Sequence, residues 1–176
     1  MTDATFIDAA PRRPAPKPKR GGSAPARRRK VLAVSSGGGH WVELGRLRAA
    51  FAGLEVIYAS TDPSAAAGLD GARHYVVRNV TRRDRWGFAV AIWQLLRILL
   101  RERPDVVVTT GAAPGFLALA AGKLLCGSRT IWIDSVASAE TLSLSARLAR
   151  PVADAWLVQW AHLARRDGPE YWGTVL

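Results

Sequence analysis

Hydrophobic positions along the chain cluster in short β-branched runs that alternate with longer stretches of helical character. VLAVS at 31–35 is unbroken and apolar, as a strand buried on both faces should be. Gly37, Gly38 and Gly39 follow it, then a helical stretch to Ala52. LEVIY at 54–58 predicts a second strand, and 75–77 a weak third. A helix is predicted over 85–103, ended by Pro104, and DVVVT at 105–109 is a clear strand. A turn at 111–115, a helix over 116–126, a strand at 129–134 (RTIWID), a helix over 141–150 and a last strand at 155–159 complete the pattern. This alternation predicts an α/β fold: a Rossmann-like, mostly parallel sheet with helices on both faces.

Ligands in such folds bind outside the carboxyl ends of the strands, where the strand order reverses. Two glycine-rich turns lie at that end, Ser35-Ser36-Gly37-Gly38-Gly39-His40 and Gly111-Ala112-Ala113-Pro114-Gly115. If strands 31–35 and 105–109 are neighbours, the two turns face each other across one crevice. A glycine turn that opens a helix gathers backbone N–H groups and the positive helix end, which suits phosphate or diphosphate. Gly-x-Gly-x-x-Gly fails because Val42 stands in the third place, no acidic residue ends the second strand, and Gly-Lys-Ser/Thr is absent. His40, at the loop–helix junction, can donate to a phosphate, act as base toward a hydroxyl, or cap the turn. Asp134 and Ser135 end RTIWID at the same sheet edge, as acceptor contacts or as helix caps. Glu43 is placed to hold His40 at i, i+3 or to face solvent, and His74 and His162 read as structural.

Charge changes the picture at one end only. The 176 residues carry 25 Lys and Arg against 14 Asp and Glu, a net +11. Nine of the basic residues fall in the first 30, with Asp3 and Asp8 as the only acids there. Prolines 11, 14, 16, 18 and 25 disfavour helix and sheet, so 1–29 is expected to be a disordered basic tail and 30–176 the folded domain. The tail has no apolar core of a secretory signal. It suits an anionic membrane surface, nucleic acid, or simple solubilisation; the folded part lacks an RRM aromatic motif or zinc-finger spacing, which ranks membrane above nucleic acid. One cysteine, Cys126, excludes a disulfide framework, and no metal site is expected.

The run WGFAVAIWQLLRILL at 86–100 is the most apolar helical stretch, with Gln94, Arg97 and Arg101 forming a narrow polar stripe. Fifteen residues fall short of the ~20 that span a bilayer. Arg82, Arg83 and Arg85 beside Trp86 and Trp93 suit a helix lying in a membrane surface; burial against another chain is the competing reading.

Taken together, VLAVSSGGGHWVEL at 31–44, RPDVVVTTGAAPGFLALAAGKLL at 103–125 and IWIDSVASAETLSLSARLARPVADAWLVQW at 131–160 resemble the accessory subunit of two-subunit GT-B glycosyltransferases. That family includes the membrane-anchoring subunit of the dolichol-pathway N-acetylglucosaminyltransferase and the bacterial PssD-type proteins of exopolysaccharide and capsule synthesis. The resemblance implies the N-terminal, acceptor-side half of a GT-B enzyme, similar to that of the transferase that completes lipid II. It implies a small donor-binding partner that holds a UDP-sugar, with no cofactor on this chain, and a polyprenyl-diphosphate-linked saccharide as acceptor. It places the acceptor diphosphate on Ser36, Gly37, Gly38 and Gly39, with Gly111 and Gly115 closing the site and His40 beside the acceptor hydroxyl. Glucuronic acid is a plausible transferred sugar, with galactose and N-acetylglucosamine open. A scaffold that only anchors a catalytic subunit is the alternative. The family often has Glu-Ser where Asp134-Ser135 stand, and its eukaryotic members carry an N-terminal membrane span in place of a basic tail. Attachment at the cytoplasmic face of the plasma membrane is then expected to be peripheral. Tyr171, Trp172, Val175 and Leu176 form a candidate docking strip for the partner, with a frayed end as the other reading.

Overall fold

The computed structural model describes residues 27–80 and 84–175; the tail residues 1–26, Arg82, Arg83 and Leu176 lie outside the described residues, as does the side chain of Arg85. The strands are β1 (Lys30–Val34), β2 (Glu55–Ser60), β3 (Arg73–Val76), β4 (Val106–Thr109), β5 (Arg129–Ile133), β6 (Ala155–Val158) and β7 (Glu170–Tyr171). They form one sheet in the order β3-β2-β1-β4-β5-β6-β7, and every pairing is parallel. The order reverses between β1 and β4, whose register runs from Val31 opposite Val106 to Val34 opposite Thr109. Both strands are therefore central and covered on both faces, which is why their sequences are nearly unbroken in Val, Leu and Ala.

The helices are α1 (Gly39–Arg46), α2 (Arg85–Glu102), α3 (Ala112–Ala121) and α4 (Leu144–Ala149). On one face Leu95 and Leu99 of α2, Ala118 and Leu119 of α3, and Ala146 and Ala149 of α4 pack with Leu32, Ile57, Val107 and Trp132 of the sheet. The other face is covered by Leu44 of α1 and by Leu47 and Phe51 of the 3-10 turn that follows it. Asp84 caps α2 by accepting from Gly87 N (2.7 Å). The same helix stops at Arg103 in the left-handed conformation (φ 45), immediately before Pro104. Ser143 caps α4 through Ala146 N (3.0 Å).

At the amino ends of the strands a charged network joins four elements. The buried Glu102 carboxylate accepts from Arg73 Nη1 (2.8 Å) and Tyr75 OH (2.6 Å), and Lys30 Nζ lies 3.6 Å away. Arg73 also pairs with Glu55, and Asp105 accepts from Lys30 N (2.8 Å) and Arg27 (2.7 Å). The hydrogen bond to Glu102, with burial, pushes the Tyr75 phenol above its ordinary pKa.

Two expectations need correction. The segment 111–115 is not a turn: α3 already begins at Ala112, because Pro114 sits in its first turn, where its missing N–H costs no helical bond. The helix predicted over 141–150 is shortened at its start, since Ser143 supplies the cap. β7 was absent from the predicted elements; two residues are too few to carry a period.

Candidate functional site

The site is built where β1 and β4 end side by side. The chain leaves β1 through Ser35 and Ser36, turns at Gly38 (φ 66) and enters α1. It leaves β4 through Thr110 and turns at Gly111 (φ 129) into α3. Thr110 Oγ1 donates to His40 O (2.7 Å), tying the two turns together. The imidazole of His40 lies directly over Gly111: a Cβ there would come within 2.9 Å of Cδ2 and 3.0 Å of Nε2. Glycine is required at 111 both by the positive φ and by this approach. Ala112, next along, also holds a left-handed φ of 63, a conformation that costs an L-residue on the order of 1 kcal/mol.

Ser36 Oγ sits 3.0 Å from His40 Nδ1 and donates to Gly37 O (3.3 Å). Two of the glycines are spacers and not donors. Gly37 N is spent on Thr61 Oγ1 (3.0 Å), with Asp62 packed close beside it, and Gly111 N is spent on Thr109 Oγ1 (3.1 Å). The N–H groups of Gly38, Gly39 and His40 on one side, and of Ala112 and Ala113 on the other, open the two helices and have no partner among the described residues. Those five donors, with two helix N-termini, give the crevice an electrostatic character that suits an anion. Thr110 escaped sequence reasoning because its contribution is a bond between the two turns, and Ala112 and Ala113 entered it only as part of the second glycine turn. Gly115, expected to close the site, is buried within α3, where an added Cβ would overlap Thr109 Oγ1; its part is helix–sheet packing.

The carboxylates have other work. Asp134 is buried, and its two oxygens accept from Ser143 N (3.1 Å) and Ser143 Oγ (2.8 Å), so it braces the α4 cap. Glu43, 4% exposed, turns away from His40: it accepts from Ser135 Oγ (2.6 Å) and Gln159 Nε2 (3.1 Å). Gln159 Nε2 also donates to Asp134 O (3.0 Å), while its Oε1 accepts from Val175 N (2.9 Å). Arg46 on α1 donates to Val175 O (2.9 Å). The end of the described chain is thus clasped to α1 and β6 through the same amide that holds Glu43, which replaces the frayed-end reading. Tyr171 and Trp172 are exposed, and Trp172 Nε1 donates to Glu170 (2.9 Å).

Beside the crevice, His74 Nε2 meets Ser60 Oγ (2.9 Å) and its ring lies edge-on to Trp41 (5.9 Å). Burial lowers the His74 pKa, against the pull of Asp62. The Asp62 carboxyl is itself held below the usual range by the hydroxyl and N–H of Ser64. His162 binds Ala139 O (2.7 Å), away from the crevice turns.

On α2 the outward face is apolar. Trp86, 84% exposed, Trp93, 56% exposed, and Leu100 follow one another at heptad-like spacing, and Arg97 stacks its guanidinium 4.6 Å over the Trp93 ring. Gln94 turns to the sheet edge, accepting from Arg78 N (2.8 Å). Among the described residues no helix is long and apolar enough to cross a membrane, and none group into a metal-binding cluster.

The fold class is that of a Rossmann-like half of a GT-B glycosyltransferase: MurG of Acinetobacter baumannii superposes with a TM-score of 0.65 at 15% identity, over 81% of this chain and 45% of that one. This chain thus spans under half the length of that enzyme. Residues 73–175 match the family model "Oligosaccharide biosynthesis protein Alg14 like". The UDP-N-acetylglucosamine transferase subunit ALG14 of Eremothecium gossypii is 31% identical over 89% of this chain and 83% of its own length. The mouse protein of the same name is 25% identical over 78% of each chain. The chain belongs to the Alg14-like family.

Proposed function

We propose that this chain is the acceptor-binding, membrane-recruiting subunit of a two-chain glycosyltransferase. Its partner, a small donor-binding chain equivalent to the other GT-B half, supplies the UDP-sugar, and the acceptor is a saccharide on a polyprenyl diphosphate. The observation that carries this reading is the crevice at the β1–β4 switch point, where five unspent N–H groups flank the imidazole of His40. The relatives' names add a UDP-N-acetylglucosamine transferase, which makes N-acetylglucosamine the first donor to offer, with glucuronic acid and galactose next.

In transfer, an acceptor hydroxyl attacks the anomeric carbon of the donor, its proton leaves, and UDP departs. With the Ser36 hydroxyl donating to Gly37 O, Nδ1–H of His40 donates to Ser36 Oγ and Nε2 keeps its lone pair. That tautomer takes the acceptor's proton at Nε2, while the N–H groups of Gly38, Gly39, Ala112 and Ala113 hold the diphosphate. The outward face of α2, with Trp86 and Trp93 between arginines, supports peripheral attachment to an anionic bilayer surface at its cytoplasmic side. Tyr171, Trp172 and Val175, at the clasped end of the sheet, are the proposed docking strip for the donor-binding chain.

The test is co-expression with the protein encoded beside this one, offering radiolabelled UDP-sugars to membranes containing either chain or both. Label entering the lipid fraction only with both chains supports the split enzyme. Full transfer by a pair carrying His40→Ala, with neither kcat nor acceptor KM changed, would reduce this chain to a scaffold.

A further inference from the structure

We infer that the groove between α2 and α3 holds the first isoprene units of the acceptor's polyprenyl chain; the inference rests on the reading of the crevice as the diphosphate site. The groove has a volume of about 270 Å3, and every side chain that lines it is apolar, among them Ile92 and Leu96 of α2 and Leu117, Ala120 and Ala121 of α3. It exists because positions 120 and 121 are alanines: a larger residue at either would fill it.

Its placement follows from topology. Both α2 and α3 precede or follow parallel strands on the same face of the sheet, so both begin at the carboxyl end, where the crevice lies. Residue 112 opens α3 beside His40. Leu117 is five residues further on and Leu124 twelve, which at 1.5 Å per residue puts them about 7.5 and 18 Å down the helix from the anion site. The groove therefore leads away from the diphosphate position along α3, at the scale of a few isoprene units.

Its lower lip is unusual. The helix widens into a π turn over Gly122–Cys126, closed by Gly127 at φ 62, and carries Leu124, 76% exposed, and Leu125, 56% exposed, outward on consecutive positions. At its start Gly122 lies so close to the sheet that a Cβ would meet Val107 Cγ2 at 2.7 Å. Two adjacent exposed leucines thus stand at the far end of the apolar groove.

The chemistry selects a chain over other occupants. A partner helix, some 10 Å across with its side chains, is too wide for this volume. A phospholipid headgroup needs a counter-charge along the groove, and among the described residues none lines it: Arg97 and Arg101 line a separate hollow on the opposite flank of α2, and Lys123 is paired with Asp154. A prenyl diphosphate has one anionic end and a narrow branched hydrocarbon, which matches an anion site followed by an apolar channel.

The experiment measures binding of inorganic pyrophosphate, dimethylallyl diphosphate and geranylgeranyl diphosphate to the full chain by calorimetry, without detergent and below the micellar range. Burying the added methylenes is expected to make the C20 ligand about 100-fold tighter than the C5 ligand. Ala120→Trp, which fills the groove, should abolish that ratio and leave pyrophosphate binding as it was. Leu124→Gln, a change at an exposed position that does not threaten folding, should lower the ratio about tenfold. Equal affinity for C5 and C20 in the wild type, or a ratio that survives both variants, overturns the inference; if Trp93→Gln removes the ratio instead, the chain lies on the outer face of α2. Loss of co-purification with the donor-binding chain in Ala120→Trp, at an unchanged ratio, assigns the groove to that partner and overturns it too. The diphosphate reading fails separately: pyrophosphate affinity that is indifferent to Gly111→Ala condemns the crevice and not the groove, and no binding of any prenyl diphosphate condemns both.

Discussion

At the amino ends of the strands, Glu102 gathers Arg73, Tyr75 and Lys30 around one buried carboxylate, and Asp105 receives Arg27 and Lys30 N. At the carboxyl ends, between β1 and β4, the contacts are neutral and few: Ser36 to His40, Thr110 to the His40 carbonyl, Thr61 to Gly37. One end spends its charges inside the fold, joining β1, β2, β3 and α2 into a rigid base. The other leaves N–H groups unspent and tolerates left-handed backbone at Gly38, Gly111 and Ala112. Charge pairing is concentrated at the amino ends, and unspent backbone donors at the end proposed to hold a ligand.

That contrast can be broken from either side. Glu102→Ala should have the largest effect, lowering unfolding free energy by about 3 kcal/mol by removing the charge-assisted bonds that the buried carboxylate accepts from Arg73 and Tyr75; urea denaturation reads it, and transfer by the assembled pair below the melting range should be unchanged. His40→Ala should do the reverse. It removes the imidazole over Gly111 and leaves the backbone turns as they are, so transfer should fall on the order of 100-fold while the denaturation midpoint moves little. A variant that unfolds instead would show that the crevice, too, carries the fold. Ser143→Ala removes the α4 cap and one partner of Asp134, at a cost of about 1 kcal/mol; it tests whether the Asp134 brace belongs to the stable end or to the site, since only the latter predicts a loss of transfer.

The smallest expected effect concerns pH. His74 has a folded-state pKa below its unfolded value because burial disfavours its charge. Above about 6.5 both states are neutral and the fold keeps its full stability; as pH falls below that value the unfolded chain takes up the proton first, so stability declines until the folded-state pKa is passed. Thermal melts between pH 7.5 and pH 5, compared with His74→Gln, should show a shallower decline in the variant. The amino-end network should not follow this titration.

The base was harder to foresee than the crevice. The crevice was legible on one condition, that the two apolar runs ending in glycine are neighbours, and the parallel pairing of β1 with β4 meets it. Glu102 offered no such signal: its partners come from β1 and β3, at distances along the chain that no period encodes. The same holds for Glu43, which the i, i+3 rule pointed at His40 and which the fold instead turns to Ser135 and Gln159. Pro114-Gly115 looked like a turn because both residues punctuate loops; tertiary contact with Thr109 makes them the first turn of a helix. Local chemistry was legible wherever it depended on neighbours in sequence, and illegible wherever a buried polar group chose among distant ones.

Gln159 is a single amide with both ends committed: its nitrogen serves the Glu43 carboxylate and its oxygen the N–H of Val175. Rotating the amide to change one bond presents the wrong atom to both. Over generations of sequence drift, a change at position 43 would leave the buried Gln159 nitrogen with Asp134 O alone, and one at 159 would leave the buried Glu43 carboxylate with Ser135 alone. Positions 43 and 159 are therefore expected to change in step or not at all, and across diverging copies of this gene they should behave as one inherited character.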